Sequence, residues 1–113
     1  MGTDDLMLLQ GTLDVLVLRA LAWGPMHGFE ITTWLEERSG GKLGVEDGAL
    51  YHALVRLEER GSIEAAWGET ENGRRARYYR LTSAGRAYLQ AETKRWLEYA
   101  GTVTGILTSP RTT

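Results

Sequence analysis

Cysteine is absent from this chain of 113 residues. Its absence excludes a disulfide framework and any metal site built on thiolates, and is compatible with a cytoplasmic setting. Long apolar runs are missing too. The stretch Val15 to Leu18 is bounded by Asp14 and Arg19, far short of a membrane span. The N-terminus lacks the basic-then-apolar form of a secretion signal, so a cytoplasmic protein without a membrane partner is expected. Histidine occurs only as His27 and His52, and no His/Asp/Glu set has metal-ligand spacing. No nucleophile elbow and no phosphate-binding glycine loop can be found. The expectation is therefore no enzyme, no cofactor and no metal.

What is present suits one globular domain with one modest core: hydrophobic residues make up 42% and charged residues 25%. The net charge of −2 argues by its sum against a nucleic-acid partner, but the distribution argues the other way. Residues 28–71 hold ten acidic and four basic side chains, whereas residues 72–91 hold Arg74, Arg75, Arg77, Arg80 and Arg86 and no acid. A local field of that kind can steer toward phosphate even in a slightly acidic chain.

The apolar spacing predicts helices over Leu6–Trp23, over His27–Ser39, and from Glu46 or Asp47 to a stop at Gly61. The first is apolar on most sides and needs more than one partner, and a second subunit is expected as the other. Gly24-Pro25 ends it, and Ser39-Gly40-Gly41 ends the second. In the third, Leu50, Ala53, Leu54 and Leu57 share the core face, and the two carboxylates suit its positive end. Ser62–Trp67 alternates like a half-buried strand, Glu71-Asn72-Gly73 signals an Asn-Gly turn, and Arg75–Leu81 returns as the partner strand. A last helix opens at Thr82 or Ser83. Its residues Leu89, Thr93, Trp96, Ala100, Val103 and Leu107 form a heptad-like seam, too short to stand alone. The order is that of an α+β, mainly α, winged helix-turn-helix: three helices and a two-stranded wing over 6–82, then a dimerisation helix over 83–108.

Four segments make the chain resemble the PadR family of transcriptional regulators, in its small subfamily with a single C-terminal helix. They are LLQGTLDVLVLRAL at 8–21, GPMHGFEI at 24–31, GALYHALVRLEERGSI at 48–63 and GRRARYYRLTSAG at 73–85. Two positions depart from the usual pattern: Phe29 stands where Tyr is common, and His52 where Pro is common. The resemblance implies a homodimeric, sequence-specific DNA-binding protein, usually a repressor released by a small molecule.

Read from the residues, the third helix would offer Gly48, Tyr51, His52 and Arg56 to double-stranded DNA, the glycine by allowing close backbone approach. Arg74, Arg75 and Arg77 in the wing are the strongest electrostatic feature, suited to phosphate or a narrow minor groove. Lys42 is a weaker phosphate candidate, and Arg80 is expected either at DNA or paired with Glu64 across the strands. The dimer interface is expected at Leu9, Leu13, Leu16, Leu89, Trp96, Ala100, Val103 and Leu107. Two copies of Trp96 near a twofold axis could stack on a small aromatic effector, though plain interface packing accounts for that tryptophan as well. Trp23, Trp34 and Trp67 are expected in the core or interface. The competing reading is a winged-helix module for protein contact or ligand sequestration, without DNA binding.

Overall fold

The computed structural model describes residues 11–111. Helix α1 spans Thr12–Ala20 and closes in a 3-10 turn, Leu21–Trp23. A two-residue strand β1, Met26–His27, leads into α2, Gly28–Arg38, and then α3, Asp47–Arg60. Strands β2, Ile63–Glu69, and β3, Arg75–Leu81, form the wing, and α4 runs from Ser83 to Leu107. This is a winged helix-turn-helix. The expected start of the first helix at Leu6, and the expected interface residue Leu9, lie outside the described residues.

The sheet has three strands, in the order β1-β3-β2, all antiparallel. A two-stranded wing was the sequence expectation. The added strand was illegible because two residues carry no alternation, and pairing with Tyr78 and Tyr79 of β3 alone defines it. His27 then caps α2. Its Nδ1 accepts from the Glu30 backbone N–H at 3.3 Å, while Glu30 Oε1 accepts from the His27 N–H at 3.1 Å. This reciprocal capping box satisfies two amides that the helix leaves open.

At the start of α3 the N-cap Glu46 makes no side-chain cap bond. Its carboxylate, with that of Asp47, acts there only as charge beside the positive helix end. Gly61 ends α3 in the left-handed region (φ 82°), and the Ser62 N–H reaches back to the Leu57 carbonyl at 2.9 Å. That closure satisfies carbonyls the last turn leaves open.

The hairpin turn differs from its sequence signal. The Gly73 N–H donates to the Thr70 carbonyl at 2.9 Å, so Glu71 and Asn72 are the central residues. No described non-glycine residue has positive φ, and Gly73 alone in the turn does (77°). The Asn-Gly pair thus serves a turn in which Gly73, after the central Glu71 and Asn72, is the left-handed residue, not a two-residue turn with both central residues left-handed.

One core holds the layers together. It gathers Leu13, Val17, Leu18 and Leu21 from the first helix and its turn, and Ile31 and Leu35 from α2. Leu50, Ala53, Leu54 and Leu57 join from α3, and Ile63, Tyr79 and Leu89 from the later elements. Leu13 and Leu89, expected at a dimer interface, belong to this core and keep little surface for a second subunit. Leu16 packs against its edge, half-buried.

Candidate nucleic-acid interface

The corner between α3 and β2 fixes where the wing stands. The Ser62 carbonyl accepts from the Thr82 N–H at 3.0 Å, and the Thr82 hydroxyl donates to the Gly61 carbonyl at 2.6 Å while accepting from the Gly85 N–H at 3.0 Å. Gly85 lies so close to Ser62 that a Cβ there would land on the Ser62 carbonyl. The end of α3 and the end of β3 are therefore docked on one another.

A second tie crosses from wing to helix. Arg77 of β3 donates through Nη2 to Glu58 Oε2 of α3 at 2.9 Å. Arg80 pairs across the strands with Glu64, at 2.7 and 3.1 Å, as the direct register of the two residues allows. Arg75 spreads over the Trp67 ring, 4.4 Å from its centroid, an arrangement that keeps its charge available. Trp67 is 61% exposed on the wing and lies outside the core. Arg74 has no carboxylate or ring partner among the described residues. The sequence located the arginines and offered Glu64 as a partner for Arg80, but it did not foresee the Glu58–Arg77 tie, 19 residues apart, or the seat of Arg75 on Trp67.

On α3, the exposed face carries Gly48, Tyr51, His52 and Arg56. Tyr51 and His52 contact each other edge-on, ring centroids 5.7 Å apart, and neither makes a side-chain hydrogen bond among the described residues. A Cβ at Gly48 would meet nothing, so the backbone there is open to approach. Arg56 is placed differently. Its Nε and Nη2 donate to the two oxygens of Asp14 on α1, at 3.2 and 2.6 Å. That hydrogen bond raises the guanidinium's pKa, against the lowering effect of its partial burial, and the carboxylate's charge adds in the same direction. Lys42 lies exposed in the loop before α3. Asp14 and Glu58 were missed by sequence reasoning, the first because a carboxylate inside an apolar helix looks like solvated surface.

Trp96 lies on α4, 43% exposed, its ring 6.0 Å from that of Tyr99. Between the end of α1 and the middle of α4 a cleft of about 640 Å³ opens, lined by Arg19, Ala22, Arg86, Leu89 and Leu97 among others; Trp96 does not line it. No described helix is long and apolar enough to cross a membrane.

The model of the PadR-like family of transcriptional regulators matches residues 17–91. The chain belongs to that family. The matched range takes in the last four residues of α1, all of α2 and α3, the whole wing and the docked part of α4. An uncharacterized protein of Lysinibacillus sphaericus is 34% identical over 91 residues, 80% of this chain and 84% of that one. Among solved structures, a transcriptional regulator from Clostridium thermocellum superposes with TM-score 0.78 at 28% identity, covering 88% of this chain and 96% of that chain. Bacillus subtilis PadR in complex with operator DNA shares the fold, with TM-score 0.64 at 23% identity, over 72% of this chain and 47% of that chain. The family and its solved members are regulators of transcription and not enzymes.

Proposed function

We propose that this PadR-like regulator is a homodimeric repressor that reads a pseudo-palindromic operator in double-stranded DNA. The observation that carries the reading is the exposed α3 face of Gly48, Tyr51 and His52, held by the Thr82 corner and the Glu58–Arg77 tie beside a wing that presents Arg74 and Arg75. Residues 6–82 form the DNA-binding unit and 83–108 the dimerisation arm. The Bacillus subtilis protein of the same fold, captured with operator DNA, lends the reading support. In this scheme Tyr51 and His52 choose sequence, Gly48 lets the backbone close on DNA, and Arg74 and Arg75 with Lys42 supply phosphate affinity, with Arg77 joining them if it leaves Glu58. Two copies of Trp96, with Tyr99 beside each, would offer a planar aromatic effector a stacking site that relieves binding.

A gel shift with the region upstream of the protein's own gene tests this at low and moderate salt. The wild type is expected to prefer that duplex over random DNA, and joint replacement of Arg74, Arg75 and Arg77 by Ala to abolish binding. Absence of any preference at both salts sinks the reading. Planar aromatic compounds added to the same mixture should release DNA and quench tryptophan emission in a way that Trp96→Phe removes. A broad panel without such quenching leaves Trp96 as plain packing.

A further inference from the structure

Arg56 stands on the exposed face of α3 one turn beyond His52, where a base-reading arginine would be sought. Its side chain, although 53% exposed, is turned to α1, and its fork meets both oxygens of Asp14. A two-point pair of this kind fixes distance and plane together. The Asp14 side chain is only 12% exposed, and no other side chain donates to it among the described residues. Withdrawing Arg56 toward a base would strand a buried carboxylate, which costs more than one hydrogen bond to DNA returns. Among the described residues no other side-chain hydrogen bond or ion pair joins the two helices, and Leu13 and Val17 of α1 share the core with Leu54 and Leu57 of α3. Apolar surfaces can slide past one another by small steps, whereas a forked ion pair cannot.

We propose that Asp14 and Arg56 form the joint that sets the angle of α3 on α1, making Arg56 a positioning residue for DNA reading and not a base contact. Because α1 also packs on α4, a displacement of α1 caused by events at the α4 arm reaches the reading helix through this one polar link. The inference rests on the DNA-binding function proposed above.

The probe is a duplex enriched from random sequence by the full-length wild-type protein, compared with an unselected duplex. Variants are measured well below their unfolding temperatures. Asp14→Asn and Arg56→Lys should each lose roughly tenfold of the preference for the selected duplex, within the range that displaced coupling residues produce. The salt slope should not change. Pairing Arg56→Lys with Asp14→Glu, which restores reach across the joint, should recover most of the preference. Tighter binding by Asp14→Asn with a slope steeper by about 0.9 per subunit would mean that Arg56 is held back for phosphate, and would overturn the proposal. So would a double variant no better than Arg56→Lys alone, which is the mark of direct base reading. An equal loss on both duplexes reduces the pair to plain support of the fold. If the wild type enriches no duplex at all, the DNA-binding reading itself falls and takes the joint's role with it.

Discussion

Gly85 and Gly48 show how the same residue type serves two ends in this chain. At Gly85 a side chain would collide with the Ser62 carbonyl, the acceptor that locks the α3–β2 corner to the start of α4. Gly85→Ala should therefore cost roughly 3 kcal/mol, the upper part of the range for overpacking a tight site, seen as a lowered thermal midpoint. At Gly48 a Cβ meets open space inside the first turns of α3. Gly48→Ala should gain up to about 1 kcal/mol of stability yet weaken operator binding, because the methyl would stand where DNA is proposed to approach. A stability gain with unchanged affinity would remove Gly48 from the interface. The Asp14–Arg56 pair adds a pH statement of definite sign. Arg56 has its pKa raised in the fold, so its contribution is complete below the free arginine's value and fades only as pH climbs through the raised one. From the arginine side, the joint does not switch at physiological pH.

Among the elements, α4 is divided against itself. Its first turns are anchored by Gly85 and Leu89, with Arg60 lying 4.5 Å over the Tyr88 ring. Beyond them Trp96, Leu97, Tyr99, Ile106 and Leu107 are all exposed, Ile106 at 70% and Leu107 at 78%. Half of a 25-residue helix thus projects without support from the rest of the described residues, and an isolated helix of about a dozen residues is marginal in water. The exposed apolar side chains widen the heptad-like seam of Trp96, Ala100, Val103 and Leu107, which fits a helix laid against its twin. Sedimentation at micromolar concentration should show a dimer, and Val103→Glu with Leu107→Glu should yield a monomer of reduced helicity. A wild-type monomer at that concentration would defeat the assignment. The wing behaves as the opposite kind of element: short, but tied at its base by Glu58–Arg77 and Glu64–Arg80.

Taken whole, the molecule is longer than a compact domain of its size. Its radius of gyration is 16.3 Å with extents of 64 × 35 × 21 Å, where a compact chain of this length would give about 13 Å. The excess suits a reading head on an arm that a second subunit would cover. Charge follows the same division, since a net −2 coexists with a basic wing. The ion pairs change how much of that wing is available. With Arg77 committed to Glu58, two arginines per wing have no carboxylate partner among the described residues, Arg74 and Arg75. Their share of the logarithmic salt slope for a dimer should be about 4, against about 5 if Arg77 also left its partner for phosphate. Glu58→Gln should move the slope toward the larger value, and an unchanged slope would show that Arg77 already meets DNA in the complex.

The sequence by itself determined the order of the helices and the two hairpin strands, the core face of α3 and the stops, because each is written in local periodicity and in residues such as Gly61 and Thr82 whose chemistry acts within a few positions. It also placed the arginines of the wing and the exposed face of α3. Tertiary structure decided which of those charges are spent. Asp14 reaches Arg56 across 42 residues and Glu58 reaches Arg77 across 19, distances at which no periodicity speaks. The same holds for β1, which exists only because Tyr78 and Tyr79 lie beside it, and for Leu13 and Leu89, which face inward once α1 and α4 pack. A charge's partner, unlike a helix face, is a property of the folded whole.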